Sequence, residues 1–274
     1  MFATFRAEMV KQWRRPRTYV ALGVTVVVPI IVGIALKANP PSLREGRDDG
    51  LFFFATKSGL ILPVAALRVM SRFLLVIVVA MFAGDAIASE ASWGNLRALL
   101  VRPIGRGRLL GAKLASAAFL ALIATALISI TGLVVGGIAF GWHPIDLSIP
   151  GGFGFQQSNG EIIRNLALAT VYVFWGLSPV IALGFMVSTM TDAPAGAIFA
   201  AFGLYIVSSI VDAITAVGSI RYALPTHYFD SWSDLFTTHG ASSDMVRGAL
   251  LPIGYVLVFC GIAWWWFRRK DILS

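Results

Sequence analysis

SEASWGNLRALLVRPIGRGRLLGAKL, residues 89–114, carries five basic residues and one acid between two strongly apolar regions. Leu96, Leu99 and Leu100 follow the spacing of one helical face, with Trp93 on a nearby flank and Arg97 off that face. Pro103 stops this helix, Gly105 and Gly107 turn the chain, and Leu109 onward climbs into the next apolar run. A short amphipathic helix thus projects between two long spans. On these residues alone two readings stand. The helix lies among headgroups with its arginines on anionic lipid, or its apolar face fills a groove on a partner.

The flanking regions set the class. The chain is 57% hydrophobic and only 13% charged, with mean hydropathy +0.79, where soluble domains are about 25% charged. An integral membrane protein follows. The net charge of +8 would suggest nucleic acid in a soluble protein; here the basic residues flank spans and face an anionic leaflet. Cys260 is the one cysteine, which excludes an intrachain disulfide and a thiol metal cluster.

Five uncharged runs are long enough to cross a bilayer, at about 20 residues each: Thr18–Leu36, Leu114–Trp142, Asn165–Thr191, Ala193–Val211 and Gly248–Phe267. Thr18–Leu36 exceeds the roughly 7–15 residues of a signal-peptide core and no A-x-A site follows, so it reads as an uncleaved span. The Thr191-Asp192-Ala193-Pro194 turn makes a tight hairpin. A sixth span needs a helix over 60–90 that includes Arg68 and Arg72 and runs roughly 45 Å. The expectation is an all-α protein of six transmembrane helices. An interfacial helix occupies 1–17, and the spans run over 18–38, 60–90, 109–142, 163–190, 193–218 and 248–268. Residues 90–108 form the loop between the second and third spans, and 219–247 an outer loop with interfacial helices. In 1–17, Phe2, Phe5, Met9 and Trp13 share about one face. The outer loop 39–57 reads as polar. With both termini in the cytosol, 13 of the 22 Lys and Arg residues lie inside. Trp264-Trp265-Trp266 marks the inner interface, and Trp142 and Trp232 the outer one.

Little here points to catalysis. His143, His227 and His239 fall in outer loops without ligand spacing. Gly105-Arg106-Gly107-Arg108 lacks the Lys-Ser/Thr of a phosphate loop, so no nucleotide site belongs to this chain. Gly132, Gly136, Gly137 and Gly141 give small-xxx-small spacings suited to close packing within one subunit. Phe82, Phe199, Phe202 and Tyr205 fall in the second and fifth spans, where lipid-facing or packing roles are open to each. Arg68 and Arg72, four apart on one helical face, either snorkel to outer headgroups or attract an anionic substrate.

The stretch GDAIASEASWGNLRALLVRPIGRGRLLGAK resembles the first cytosolic loop of the ABC type 2 transporter permease family, of type V fold. The acid, the Gly-x-Leu, the Leu pair, the Pro after a basic residue, the Gly-Arg and the Gly-x-Lys occur in the family's order. Here they are Glu90, Gly94–Leu96, Leu99-Leu100, Arg102-Pro103, Gly105-Arg106 and Gly111–Lys113. Trp93 departs from the usual small or charged residue. The resemblance implies a coupling helix in a cleft of a cytosolic ATP-binding subunit. Glu90, Arg97, Arg102 and Arg106 would then meet partner charges, and Trp93, Leu96, Leu99 and Leu100 its apolar surface. It further implies two such ATPase subunits, a second permease that is identical or homologous, and ATP and Mg on the partner alone. The second and fifth spans would line the path, with Phe82, Phe199, Phe202 and Tyr205 as an apolar, aromatic lining. The chain itself would be no enzyme but a multi-pass subunit of the cell inner (plasma) membrane, contacting lipids and no nucleic acid. Its cargo would be an amphipathic compound, peptide or lipid. An ion-coupled secondary transporter and a non-transporting membrane scaffold are the alternatives.

Overall fold

The computed structural model describes residues 2–41, 50–92, 105–143, 145–146, 156–237 and 241–269. Helix α1 (Phe2–Trp13) leads into α2 (Pro16–Ala38), α3 (Gly50–Lys57), α4 (Leu62–Ser71), α5 (Leu74–Ser92) and α6 (Arg106–Phe140). A two-residue antiparallel ladder, Ile145–Asp146 with Gln156–Gln157, precedes α7 (Asn159–Gly176) and α8 (Ser178–Met190). Next come α9 (Pro194–Ala213), two 3₁₀ segments (Thr215–Ala223 and Phe229–Phe236) and α10 (Ser243–Arg269). Six helical stretches are long and apolar enough to cross a membrane, with α7 and α8 counting as one. The alternation brings the N-terminal helix, the C-terminal end of α5, the start of α6 and the end of α10 to one end of the bundle, called here the near end.

Helix α5 is the axis of the fold. Most of it is buried, against α6, α8 and α9, whereas α10 is almost wholly exposed on its outer surface. In hydrocarbon an exposed leucine costs nothing, so close packing of small residues does the assembling. A Cβ on Gly84 would stand 2.8 Å from the Ile198 backbone nitrogen, which lets α5 and α9 meet backbone to backbone. On α6, a Cβ at Gly136 would lie 2.1 Å from the Gly59 carbonyl oxygen, and one at Gly132 2.6 Å from Pro63. The glycine stripe therefore packs within the subunit, against the chain that enters α4.

Several expected elements differ. The helix over 60–90 is divided at Arg72-Phe73 into α4 and α5. No Pro or Gly marks that break. What occupies it is tertiary: Arg72 pairs with Asp230, and the Phe73 ring meets Phe202 edge-on with centroids 5.3 Å apart. The 39–57 loop contains α3, whose Phe54 and Ala55 are buried. Helix α9 ends at Ala213 rather than 218, and the outer helices are 3₁₀ turns. The first exposes Ile220 and Tyr222, whereas the apolar face of the second turns inward. Tyr228, Phe229, Trp232, Leu235 and Phe236 are buried against the protein's own helices, with Trp232 at 1% exposure, so Trp232 is core rather than interfacial belt. Trp142 and Trp264–Trp266 are exposed.

Candidate functional site

Charges that interrupt apolar runs gather at the near end. Asp85, Ser89 and Glu90 follow the i, i+4, i+5 positions of α5, which turns them toward α1, α2 and α6. Lys113, about two turns into α6, reaches Glu90 Oε1 at 2.7 Å, Glu8 Oε2 at 3.2 Å and the Ala86 carbonyl at 3.1 Å. Lys11 of α1 donates to the same Glu90 oxygen. Arg15, between α1 and α2, donates to Asp85 Oδ2 at 2.6 Å and to Ser89 Oγ at 3.3 Å; Arg17 donates to Asp85 Oδ1. Three carboxylates thus meet four cations drawn from α1, the α1–α2 junction and α6.

Burial makes the geometry consequential. Glu8, Asp85, Glu90 and Lys113 are all buried, and each ion would be expensive there without its partners. Glu90 Oε2 is buried and has no hydrogen-bond partner among the described residues. Helix α8 joins from the far side: Ser188 Oγ accepts from the Ile87 and Ala88 backbone N–H groups at 3.0 and 2.9 Å. The result is a clamp in which α1, α2, α6 and α8 all grip the last two turns of α5.

The expected amphipathic character of 1–17 takes a specific form. Met9 is buried and the Phe5 ring meets Phe119 edge-on, but so are Glu8 and Gln12 buried, while Trp13 stays exposed beside Tyr19. The face of α1 that meets the protein is thus mixed, with a carboxylate at its centre, rather than an apolar stripe on lipid.

Of the residues expected to couple to a partner, Glu90 is held by lysines of its own chain instead of facing outward. Arg106 begins α6 and donates to the Arg268 carbonyl at 3.1 Å, beside Gly107, whose missing side chain leaves room for the Trp264 ring. Trp93, Leu96, Arg97, Leu99, Leu100, Arg102 and Pro103 lie outside the described residues. Of the expected path residues, Phe82 is buried in α5 and Tyr205 is buried with its ring edge on Phe229. Phe199 is 71% exposed, and Phe202 packs on Phe73. Arg68 lies half-buried in the last turn of α4, whereas Arg72 just beyond it is exposed and paired with Asp230. Among the described residues no three His, Cys, Asp or Glu side chains are grouped to hold a metal.

Sequence reading passed over Glu8, Lys11, Arg15, Arg17, Asp85 and Lys113 as a group. The only signal for it is local: Asp85, Glu90 and Lys113 stand at the rims of apolar runs where a leucine would cost less. It also passed over Asp212, Arg221 and His227 at the opposite end, where His227 Nδ1 lies 2.5 Å from Asp212 Oδ1.

A family model described as a protein of unknown function, DUF2705, matches residues 52–273. No curated protein matches the chain.

Proposed function

The chain belongs to the DUF2705 family, and from that premise we propose that it is the membrane-spanning permease subunit of an ATP-driven ABC transporter, with both termini in the cytosol. The observation that carries this reading is the near-end clamp. The basic segment 93–104 leaves α5 two residues after Glu90 and re-enters through α6 seven residues before Lys113. Any force applied to that segment is delivered straight to two helices joined by buried ion pairs, and through α5 to the axis of the bundle. A rigid anchor at the foot of a lever is what a motor-driven subunit requires, because coupling works only through a difference in binding between two states. Support also comes from the Lys and Arg residues massed at this end, and from the order of motifs across residues 84–113.

On this reading a separate cytosolic ATP-binding subunit holds ATP and Mg, and two copies of it work with two permeases in the cell inner membrane. Export of an amphipathic compound, peptide or lipid is the activity. Leu96→Asp with Leu100→Asp tests it. The expected result is that the double variant inserts and folds as wild type does but no longer co-purifies with an ATP-binding subunit. A wild-type complex with wild-type transport in that variant would overturn the assignment, and so would the absence of any ATPase in wild-type purifications.

A further inference from the structure

Helices α9 and α10 both pack on α8 and leave a groove between them. Gly176, Pro179, Val180 and Leu183 form its floor, α9 from Ala201 to Val211 one wall, and Tyr255 and Phe259 of α10 the other. Its far end is closed. Leu224 and Pro225 roof it, the Tyr255 hydroxyl donates to the Ala223 carbonyl at 2.7 Å, and Ser208 Oγ meets Thr226 Oγ1 at 2.8 Å. The cavity measures about 240 Å³. That exceeds the roughly 150 Å³ of an apolar cavity that stays dry and takes up benzene. It is far too small for a helix about 10 Å across, of which it would take about half a turn. The walls are spanning helices whose Leu204 and Val207 are exposed, so the medium at its mouth is hydrocarbon.

The roof carries charge. Asp212 follows Val211, and Arg221 and His227 bracket Leu224 and Pro225. One oxygen of Asp212, Oδ1, faces His227 Nδ1 at 2.5 Å and Arg221 Nε at 3.6 Å. The shorter contact goes to histidine. Arg221 Nε is buried and, beyond the 3.6 Å ion pair with Asp212, has no hydrogen-bond acceptor among the described residues. A guanidinium is a planar fork suited to an oxyanion, and leaving a buried donor unfilled is costly. An apolar slot roofed at one end and opening to the bilayer, with Arg221 three residues before the roof and its Nε short of a hydrogen-bond acceptor, matches one kind of occupant.

We propose that the groove between α9 and α10 holds one acyl chain of an anionic lipid from the surrounding bilayer, with the lipid's phosphate on Arg221. The site stands whether or not the chain is a permease. The full-length protein in phosphatidylcholine vesicles is the system for the test, doped either with phosphatidylglycerol bearing a diazirine in one acyl chain or with the matched photoreactive phosphatidylcholine. Labelled peptides are read by mass spectrometry. The anionic probe labels the Leu204–Val211 and Tyr255–Phe259 peptides about tenfold more than the zwitterionic one, the ratio expected from one charge-assisted hydrogen-bonded contact. The exposed face of α2 around Tyr19 and Val27, which serves as an internal standard, takes both probes equally. Arg221→Gln brings the groove ratio to that of α2, and Arg221→Lys leaves it between the two. Equal labelling in the wild type, or an undiminished ratio in Arg221→Gln, overturns the proposal. Walls that resist both probes while cross-linking copy to copy also overturn it, in favour of a second chain as occupant. Val207→Trp gives an independent arm, since its bulk enters the groove from an exposed position; groove labelling by both probes should fall, and its persistence counts equally against the site.

Discussion

The near end and the far end of this bundle both carry ion pairs, yet the two sets differ in kind. At the near end, Asp85 and Glu90 are 3% and 2% exposed, and each is held by two cations from elements far away in sequence. At the far end, Arg72 and Asp230 form a pair whose side chains are 58% and 41% exposed. A buried pair is worth little as a net gain over apolar packing, but losing one member strands the other in a medium that cannot solvate it. An exposed pair is solvated either way. The near end is therefore a place where the fold has committed its helices to one arrangement, and the Arg72–Asp230 pair commits nothing comparable.

Lys113→Met should break that contrast most severely. It leaves Glu8 without its cation and Glu90 with Lys11 alone, at a cost of about 3–5 kcal/mol, read as a large drop in the midpoint of thermal unfolding in one detergent. A midpoint no lower than that of Arg72→Ala would mean that the cluster rearranges freely and clamps nothing. Asp85→Asn should fall between the extremes. Its two arginines are 17% and 37% exposed and can swing toward headgroups, so about 1–3 kcal/mol is expected. Arg72→Ala should cost about 0.2–1 kcal/mol. Even that difference should vanish in 1 M salt, where the screening length is about 3 Å, while the Lys113 effect persists. A salt-sensitive Lys113 effect would show that water reaches the cluster.

Hydropathy made five of the six spans legible, because about 20 uncharged residues in a row have few other uses. It could not divide 60–90, since Met70-Ser71-Arg72-Phe73 contains no residue that interrupts a helix by itself. The interruption coincides with contacts to Asp230 and Phe202, roughly 130–160 residues downstream, and no local pattern encodes them. The same holds for the clamp. Glu90 and Lys113 stood out within their own motif, but their partners Glu8 and Lys11 lie in a helix that reads as a membrane-surface helix. Distinguishing a face that meets lipid from one that meets protein needs the third dimension. The 219–247 loop failed for the converse reason: aromatic residues spaced for a leaflet are spaced equally well for a core, and Trp232 went to the core.

Helix α6 adds a constraint of another sort. Its 35 residues extend about 52 Å, and even the uncharged part from Leu114 to Phe140 is about 40 Å long. The hydrocarbon slab is about 30 Å thick. Such a helix has to lean, or the bilayer has to thicken around it, and the lean needed grows as the membrane thins. Lys113 sits at the foot of this helix. Bilayer thickness therefore bears on the angle at which α6 presents Lys113 to Glu8 and Glu90, making lipid chain length a mechanical input to the same end of the molecule that the charges hold together.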